Sequence, residues 1–262
     1  MASSSDRLPR PFQLGLPSTP TVDQDRFGAE SFPIVLPHTV ELHVMRHGES
    51  AANEGRLITG ATNVPLTKLG RTQARQAGRK LAGGYDVAFS STLYRSKETL
   101  KLALKVQKLD DICIRESPHI AERQLGELEL QPARPIPEYA AGNFAYAPEG
   151  GESYLSVTKR ALSFLGAVAQ WVQSEWILNR KKIERILVCT HMGPMRIIAG
   201  ILNEESDPVE ILSHSYSPTQ LLTFNWSQIT YPRFLPGSTE DPEAVQPPPS
   251  KPHVLKQRSL FE

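Results

Sequence analysis

A chain of 262 residues with 29 Lys and Arg against 28 Asp and Glu has a formal net charge of +1 at pH 7, so it lacks the broad cationic field that holds nucleic acid or an anionic membrane surface. Its composition, 39% hydrophobic and 22% charged, fits a globular chain and excludes a wholly disordered or fibrous one. No apolar run approaches the roughly 20 residues that span a bilayer, the opening MASSSDRLPRPFQLGLPST lacks the apolar core of a secretory signal, and the two cysteines, Cys113 and Cys189, lie in apolar strand-like runs; the expected setting is cytoplasmic, with reduced, buried thiols.

Proline marks the limits of the folded unit, because 13 of the 22 prolines fall in residues 1–37 and 231–262 taken together. The expected division is an irregular extension over 1–37, one domain over 38–230 and a Pro-rich solvated tail over 231–262. Within the domain, Val40 to Met45 reads as the first strand. Thr67 is placed to cap a helix whose Leu69, Ala74, Ala77 and Leu81 share a face, with Gly83 and Gly84 as its stop. Tyr85 to Ser90 reads as a second strand, Leu93 to Val106 as a helix and Ile112 to Arg115 as a third strand. A long helix follows Ser153, with Tyr154, Val157, Ala161, Leu165, Val168 and Val172 as its apolar stripe. Arg185 to Thr190 gives another strand, Pro194 to Leu202 a helix and Leu221 to Trp226 the last strand. This alternation predicts the α/β class, a mostly parallel central sheet covered by helices.

Ligands of open α/β sheets gather beyond the carboxyl ends of the strands. There the first strand runs into Arg46-His47-Gly48-Glu49-Ser50, the second into Ser90-Ser91-Thr92-Leu93-Tyr94-Arg95, and a later one into Thr190-His191-Met192-Gly193. Two arginines and two histidines therefore converge. Planar guanidinium groups, together with backbone amides at helix starts, suit a phosphoryl group. An imidazole can attack phosphorus through one unprotonated nitrogen when the other nitrogen donates to a fixed acceptor, which assigns His47 a nucleophilic role. Proton transfer to the departing oxygen needs a carboxylate on a nearby loop, and Glu122 in AERQLGE supplies one.

With these groups in place the sequence resembles the histidine phosphatase superfamily, in the branch that contains the cofactor-dependent phosphoglycerate mutases. The resemblance covers roughly Val40 to Trp226 and is carried by RHGES at 46–50 with Asn53, GATNVPLTKLGRTQA at 60–74, SSTLYRSKET at 90–99, AERQLGE at 121–127, GGES at 150–153 and THMG at 190–193. It implies a three-layer α/β/α sandwich of the phosphoglycerate mutase type. It also implies a phosphohistidine at His47, a phosphoryl group held by Arg46, Arg95 and His191, and Glu122 as general acid and base. Asn53 and the backbone N–H of Met192 are implied as further phosphate contacts. No metal and no other cofactor is expected, since the guanidiniums and imidazole supply the positive charge. Departures from the family pattern are Asn63 where many relatives have Asp, Leu128 and Leu130 where an aromatic residue and a glycine are common, and Met192 where glycine is frequent.

Only 27 residues separate Glu122 from GGES, shorter than the insertion that mutases of this family carry there. The expectation is a hydrolase of small phosphorylated metabolites, with no nucleic-acid or membrane partner. The alternatives are a mutase-type phosphotransferase and a catalytically weak phosphate-binding scaffold. A dinucleotide-binding dehydrogenase is disfavoured because Arg-His-Gly follows the first strand in place of a Gly-x-Gly-x-x-Gly turn. Glu49 and Glu152 read as loop braces and His43 as packed within its strand. His38 reads as lying near a flexible boundary, and Trp171, Trp176 and Trp226 as buried. Arg123, Arg134 and Tyr139 are the candidates for reaching the leaving group.

Overall fold

The computed structural model describes residues 32–109 and 111–235. Strands β1 (Ile34–Arg46), β2 (Val87–Ser91), β3 (Ile114–Ser117), β4 (Arg185–Thr190) and β5 (Leu221–Ile229) form one sheet in the order β3-β2-β4-β1-β5. All neighbours are parallel except β5, which closes the edge antiparallel to β1. Around the sheet lie α1 (Ala51–Glu54), α2 (Lys68–Lys80), α3 (Tyr94–Val106), α4 (Pro137–Ala140), α5 (Tyr154–Leu178), α6 (Met192–Leu202) and α7 (Pro208–Ser213).

Side chains alternate across the pleat and so feed two separate cores. Leu42, Val44, Val87, Phe89, Ile186 and Val188 join the apolar stripe of α5 and the inner face of α6. Met45, Ala88, Leu187 and Cys189 face the other way, onto Leu100, Ala103 and Leu104 of α3. α2 packs outside α3. A parallel sheet is stable only with both faces covered, which is why its inner strands are apolar almost throughout. The helices begin where the sequence supplies caps: Thr67 Oγ1 accepts from the Gly70 N–H at 2.9 Å, and Ser153 Oγ from that of Ser156 at 3.1 Å.

Several boundaries differ from those read in the sequence. β1 begins at Ile34, inside the expected extension. Pro37 has no N–H to donate, and the register with β5 shifts between Val35 and Val40 to accommodate it. His38 accordingly lies within a strand, its Nε2 2.8 Å from the Ile183 carbonyl, and not at a flexible boundary. At the far end, Phe234 is buried against Phe144 with ring centroids 5.2 Å apart, so packing continues past residue 230. The remainder of the expected extension and tail lies outside the described residues. Cys113 is exposed because β3 is an edge strand, which corrects the expectation of two buried thiols; Cys189 is buried, and both are free. Trp226 is buried, Trp171 lies beneath the Arg115 guanidinium at 4.9 Å, and Trp176 is exposed near the end of α5, contrary to expectation. α1, α4 and α7 are too short to show a helical period in the sequence.

Candidate active site

The sheet order brings the chemistry together. β4 lies between β1 and β2, so Arg46 pairs in register with Thr190 and the three chain segments leave the sheet side by side. The His47 N–H donates to the Thr190 carbonyl at 3.0 Å, and the His47 and His191 ring centroids are 4.9 Å apart. Arg95, in the first turn of α3, places Nε 3.3 Å from His47 Nε2. The loop after β1 is clamped to α2 by a glycine pair. A Cβ on Gly48 would stand 2.5 Å from the Gly70 carbonyl oxygen, and one on Gly70 2.0 Å from that of Glu49. Neither position admits a side chain without moving the backbone beside His47.

The hydrogen bonds of His47 select its tautomer. Nδ1 lies 2.6 Å from the Gly48 carbonyl oxygen, which can only accept, so the proton sits on Nδ1 and Nε2 keeps a lone pair facing Arg95. Burial holds the His47 pKa well below the usual histidine value, Arg95 and Arg46 push it the same way, and the Gly48 bond opposes them. The ring is therefore neutral at neutral pH.

His191 is neutral for similar reasons: burial lowers its pKa well below the usual value, with Arg95, His47, Arg160 and Arg46 adding to the effect. Its Nε2 is 2.8 Å from Ser91 Oγ, which itself accepts from the Leu93 N–H at 3.2 Å. A Ser91 hydroxyl that gives its proton to Nε2 leaves the imidazole proton on Nδ1. That Nδ1 is buried and has no hydrogen-bond partner among the described residues, and the same holds for Arg46 Nε. A buried polar group left unpaired costs about 1 to 3 kcal/mol, and these two belong to the residue before His47 and to the ring beside it, where an anion could satisfy them.

The Arg95 guanidinium is fully buried and tied in its plane. Nη1 donates to the Thr62 carbonyl and Nη2 to the Gly60 carbonyl, each at 2.8 Å. Burial lowers its pKa to about 10, against the opposing charges of Glu122 and Glu129. Arg46 is lowered by burial and by Arg196, with Glu122 again opposing; its Nη1 donates to the Tyr216 carbonyl. Both guanidiniums remain cationic at neutral pH.

Glu122 belongs to the same site. Its Oε1 accepts from the Gly193 N–H at 3.0 Å, in the first turn of α6, and from the Arg123 N–H at 2.9 Å. Met192 begins α6 with its side chain turned toward Tyr216, whose N–H is 3.5 Å from the sulfur, so its backbone N–H opens the helix beside His191. Asn53 is engaged locally: its Oδ1 accepts from Ser50 N at 3.1 Å and Ser50 Oγ at 2.8 Å as the capping box of α1, and its amide nitrogen takes no part in those bonds. Asn63 keeps an acceptor where relatives have Asp. Its Oδ1 takes the Tyr94 N–H at 2.8 Å and caps α3, whose own N-cap is the apolar Leu93.

Arg123 does not reach toward a leaving group. It is buried, with Nε on the Glu152 carbonyl at 2.7 Å, Nη2 on the Tyr146 carbonyl at 2.9 Å and Nη1 on the Tyr139 hydroxyl. The rings of Tyr139 and Tyr154 cover it at 4.9 and 4.4 Å. Tyr139 is thereby half-buried, and Arg134 is exposed. Glu152 bonds Arg160 at 2.8 Å and takes the Gln124 N–H at 3.0 Å, and Glu49 accepts from Thr67 Oγ1 at 2.7 Å, so both are braces. Sequence reading missed Ser91, which bonds His191 directly; it lay within a quoted motif and had no charge to single it out.

Among known proteins, the family model described as histidine phosphatase superfamily (branch 1) matches residues 42–230. The chain is 31% identical over 192 residues to a 2,3-bisphosphoglycerate-dependent phosphoglycerate mutase of Nitrobacter winogradskyi, covering 69% of this chain and 84% of the relative. It is 30% identical over 185 residues to the fructose-2,6-bisphosphatase TIGAR of Xenopus laevis, covering 68% of this chain and 63% of the relative. A mycobacterial glucosyl-3-phosphoglycerate phosphatase superposes with a TM-score of 0.59 at 20% identity, covering 71% of this chain and 89% of that one. A phosphoserine phosphatase mutant of Entamoeba histolytica superposes with 0.58 at 22% identity, covering 75% and 99%.

Proposed function

Because the chain belongs to the histidine phosphatase superfamily, we propose that it is a phosphomonoester hydrolase acting on a small phosphorylated metabolite through a phosphohistidine at His47. One observation carries this reading: His47 Nε2 faces the buried Arg95 guanidinium at 3.3 Å with the His191 ring 4.9 Å away, and Arg46 Nε and His191 Nδ1 are buried with no partner among the described residues. In the first half-reaction Nε2 bonds to phosphorus as the ester P–O bond breaks, and Glu122 in its acid form gives its proton to the departing oxygen. Arg46, Arg95 and His191 offset charge on the equatorial oxygens. In the second, Glu122 takes a proton from water, the water oxygen bonds to phosphorus and the P–Nε2 bond breaks, which frees phosphate and restores neutral His47. Glu122 Oε1 is occupied by two backbone N–H groups, which leaves Oε2 to carry the travelling proton.

A mutase reading is favoured by the name of the Nitrobacter relative. The two differ in what happens to the phosphoenzyme: a mutase retains its product and returns the group to another oxygen, whereas a hydrolase admits water. Against the mutase stands the short segment between Glu122 and Gly150, which folds down over Arg123 through Tyr139 and Tyr146. The test is a screen of phosphorylated metabolites that includes phosphoserine, phosphoglycerates and fructose bisphosphates, with quenched-flow capture of labelled enzyme. Net phosphate release, with an acid-labile phosphoenzyme that His47→Ala abolishes, is the expected result. Phosphate exchange between acceptors without net release would establish the mutase, and binding unaffected by His47→Ala without turnover would establish a scaffold.

A further inference from the structure

Glu129 is three residues beyond Gly126 and outside the group that surrounds His47, yet its carboxylate accepts from two separate segments. Oε1 takes the Ala61 N–H at 2.8 Å and the Leu125 N–H at 2.9 Å. Oε2 takes the Thr62 N–H at 2.8 Å and the Thr62 hydroxyl. Gly60 and Thr62 are the residues whose carbonyls hold the two terminal nitrogens of Arg95. Leu125 belongs to the loop that carries Glu122. We infer that Glu129 is a positioning residue that fixes the phosphate-holding guanidinium of Arg95 and the loop of the general acid relative to one another, by bonding the backbone of both to one carboxylate.

The inference rests on the phosphatase reading for the roles of Arg95 and Glu122, while the geometry stands without it. Gly60 explains why the contact is this close: at φ 52° a Cβ there would lie 2.2 Å from Glu129 Oε1, so only glycine lets the carboxylate reach the next two amides. Four donors on two oxygens hold the group as a carboxylate. Burial raises its pKa, but the bonds from Leu125, Thr62 and Ala61 outweigh that and leave it below the usual value. The charge also acts at a distance, since Glu129 is among the groups that oppose the lowering of the Arg95 pKa. Glutamine at 129 would keep the shape while turning an NH2 toward amide donors and removing that charge.

The test compares wild type with Glu129→Gln in two assays at neutral pH, turnover of the best substrate and calorimetric binding of orthovanadate. Expected are a fall in kcat of roughly 10- to 100-fold with a smaller change in KM and vanadate affinity weaker by about 10-fold. A merely structural defect would lower the calorimetric stoichiometry and leave the affinity of the folded fraction unchanged. Thr62→Val, which removes one donor to the carboxylate, serves as the milder variant if Glu129→Gln fails to fold, and it should move kcat in the same direction. Unchanged vanadate affinity in a folded variant overturns the inference. Wild type that binds vanadate but hydrolyses nothing overturns the phosphatase reading instead, and the vanadate ratio then decides the role of Glu129 alone.

Discussion

Around His47 the anchors come from the ends of sheet strands and the first turns of the helices behind them, whereas around Glu122, apart from the Gly193 N–H of α6 and Arg160 of α5, they come from side chains and short turns between residues 121 and 153. Arg46, His47 and His191 leave paired strands, so their spacing is set by a backbone ladder that runs through the whole sheet. Glu122 depends on the N–H of Gly193, on Arg123 clasped by Tyr139, Tyr146 and Glu152, and on Glu152 bonded to Arg160. The first arrangement is over-determined by the fold. The second is a local assembly whose path can vary while the sheet does not, which suits a family in which one phosphoryl site serves many leaving groups.

Breaking the ladder-anchored side gives the largest effect. Arg95→Lys keeps the charge, but an ammonium cannot reproduce the planar set of bonds to His47, Thr62 and Gly60. Turnover should fall by about 100- to 1,000-fold and vanadate affinity should fall with it. Steady-state kinetics and calorimetry on the same preparation check both.

Breaking the clasp should separate those two readouts. Arg123→Met removes the donors to Glu152, Tyr146 and Tyr139 and leaves three partly buried oxygens without them, at a cost of about 3 kcal/mol. Because the Glu122 loop then loses its support, kcat should fall by roughly 100-fold while vanadate affinity stays within about twofold of wild type. Equal losses in kcat and vanadate affinity would mean that the clasp, and not Glu129 alone, transmits the position of the Glu122 loop to Arg95.

The same contrast explains what could be read from the sequence. β4 was legible to the residue, Arg185 to Thr190, because a buried parallel strand is a short apolar run with abrupt ends. Thr67 and Ser153 announced α2 and α5 because capping is chemistry between neighbours in the chain. The convergence of His47, Arg95 and His191 followed from their places at strand ends. Arg123 was misread as facing substrate because a basic residue in a proline-rich loop carries no local sign that three acceptors and two rings wait for it. Glu129 was missed for the same reason: its partners at 61 and 62 are remote in sequence. Ile34 to Thr39 were left out of β1 because Pro37 breaks the strand pattern, and only the bulge opposite β5 shows how it is accommodated.

Acid should test the ladder-anchored side through stability. His47 and His191 both have folded-state pKa values well below the ordinary 6.5, chiefly through burial. Between those depressed values and 6.5 the unfolded chain binds protons that the folded chain does not, so stability is present above pH 6.5 and is lost as pH falls toward the folded values. The slope is about 1.4 kcal/mol per pH unit for each histidine. Denaturant titrations at stepped pH should show it, and His191→Asn should reduce it by about half. A flat profile below pH 6.5 would mean that the two rings accept protons in place, contrary to their burial.

The smallest expected effect comes from the other side of the site. Leu130 adopts φ 61°, in the left-handed region, and its N–H donates to the Ile58 carbonyl at 2.7 Å, so the conformation is imposed by pairing of the 57–58 and 130–132 segments. A leucine held there costs about 1 to 2 kcal/mol, and with its side chain 47% exposed little burial offsets that cost. The family pattern commonly has glycine at this place. Leu130→Gly relieves the strain but frees the unfolded chain, an opposing change of roughly 0.5 to 1 kcal/mol, so the net gain should be about 0.5 to 1 kcal/mol. That corresponds to a rise in Tm of a few degrees, measurable by calorimetry. If the clasped side is the softer of the two, kcat should also shift modestly, since Leu130 adjoins Glu129; a change in Tm with kcat fixed would place the strain outside the working part of the loop.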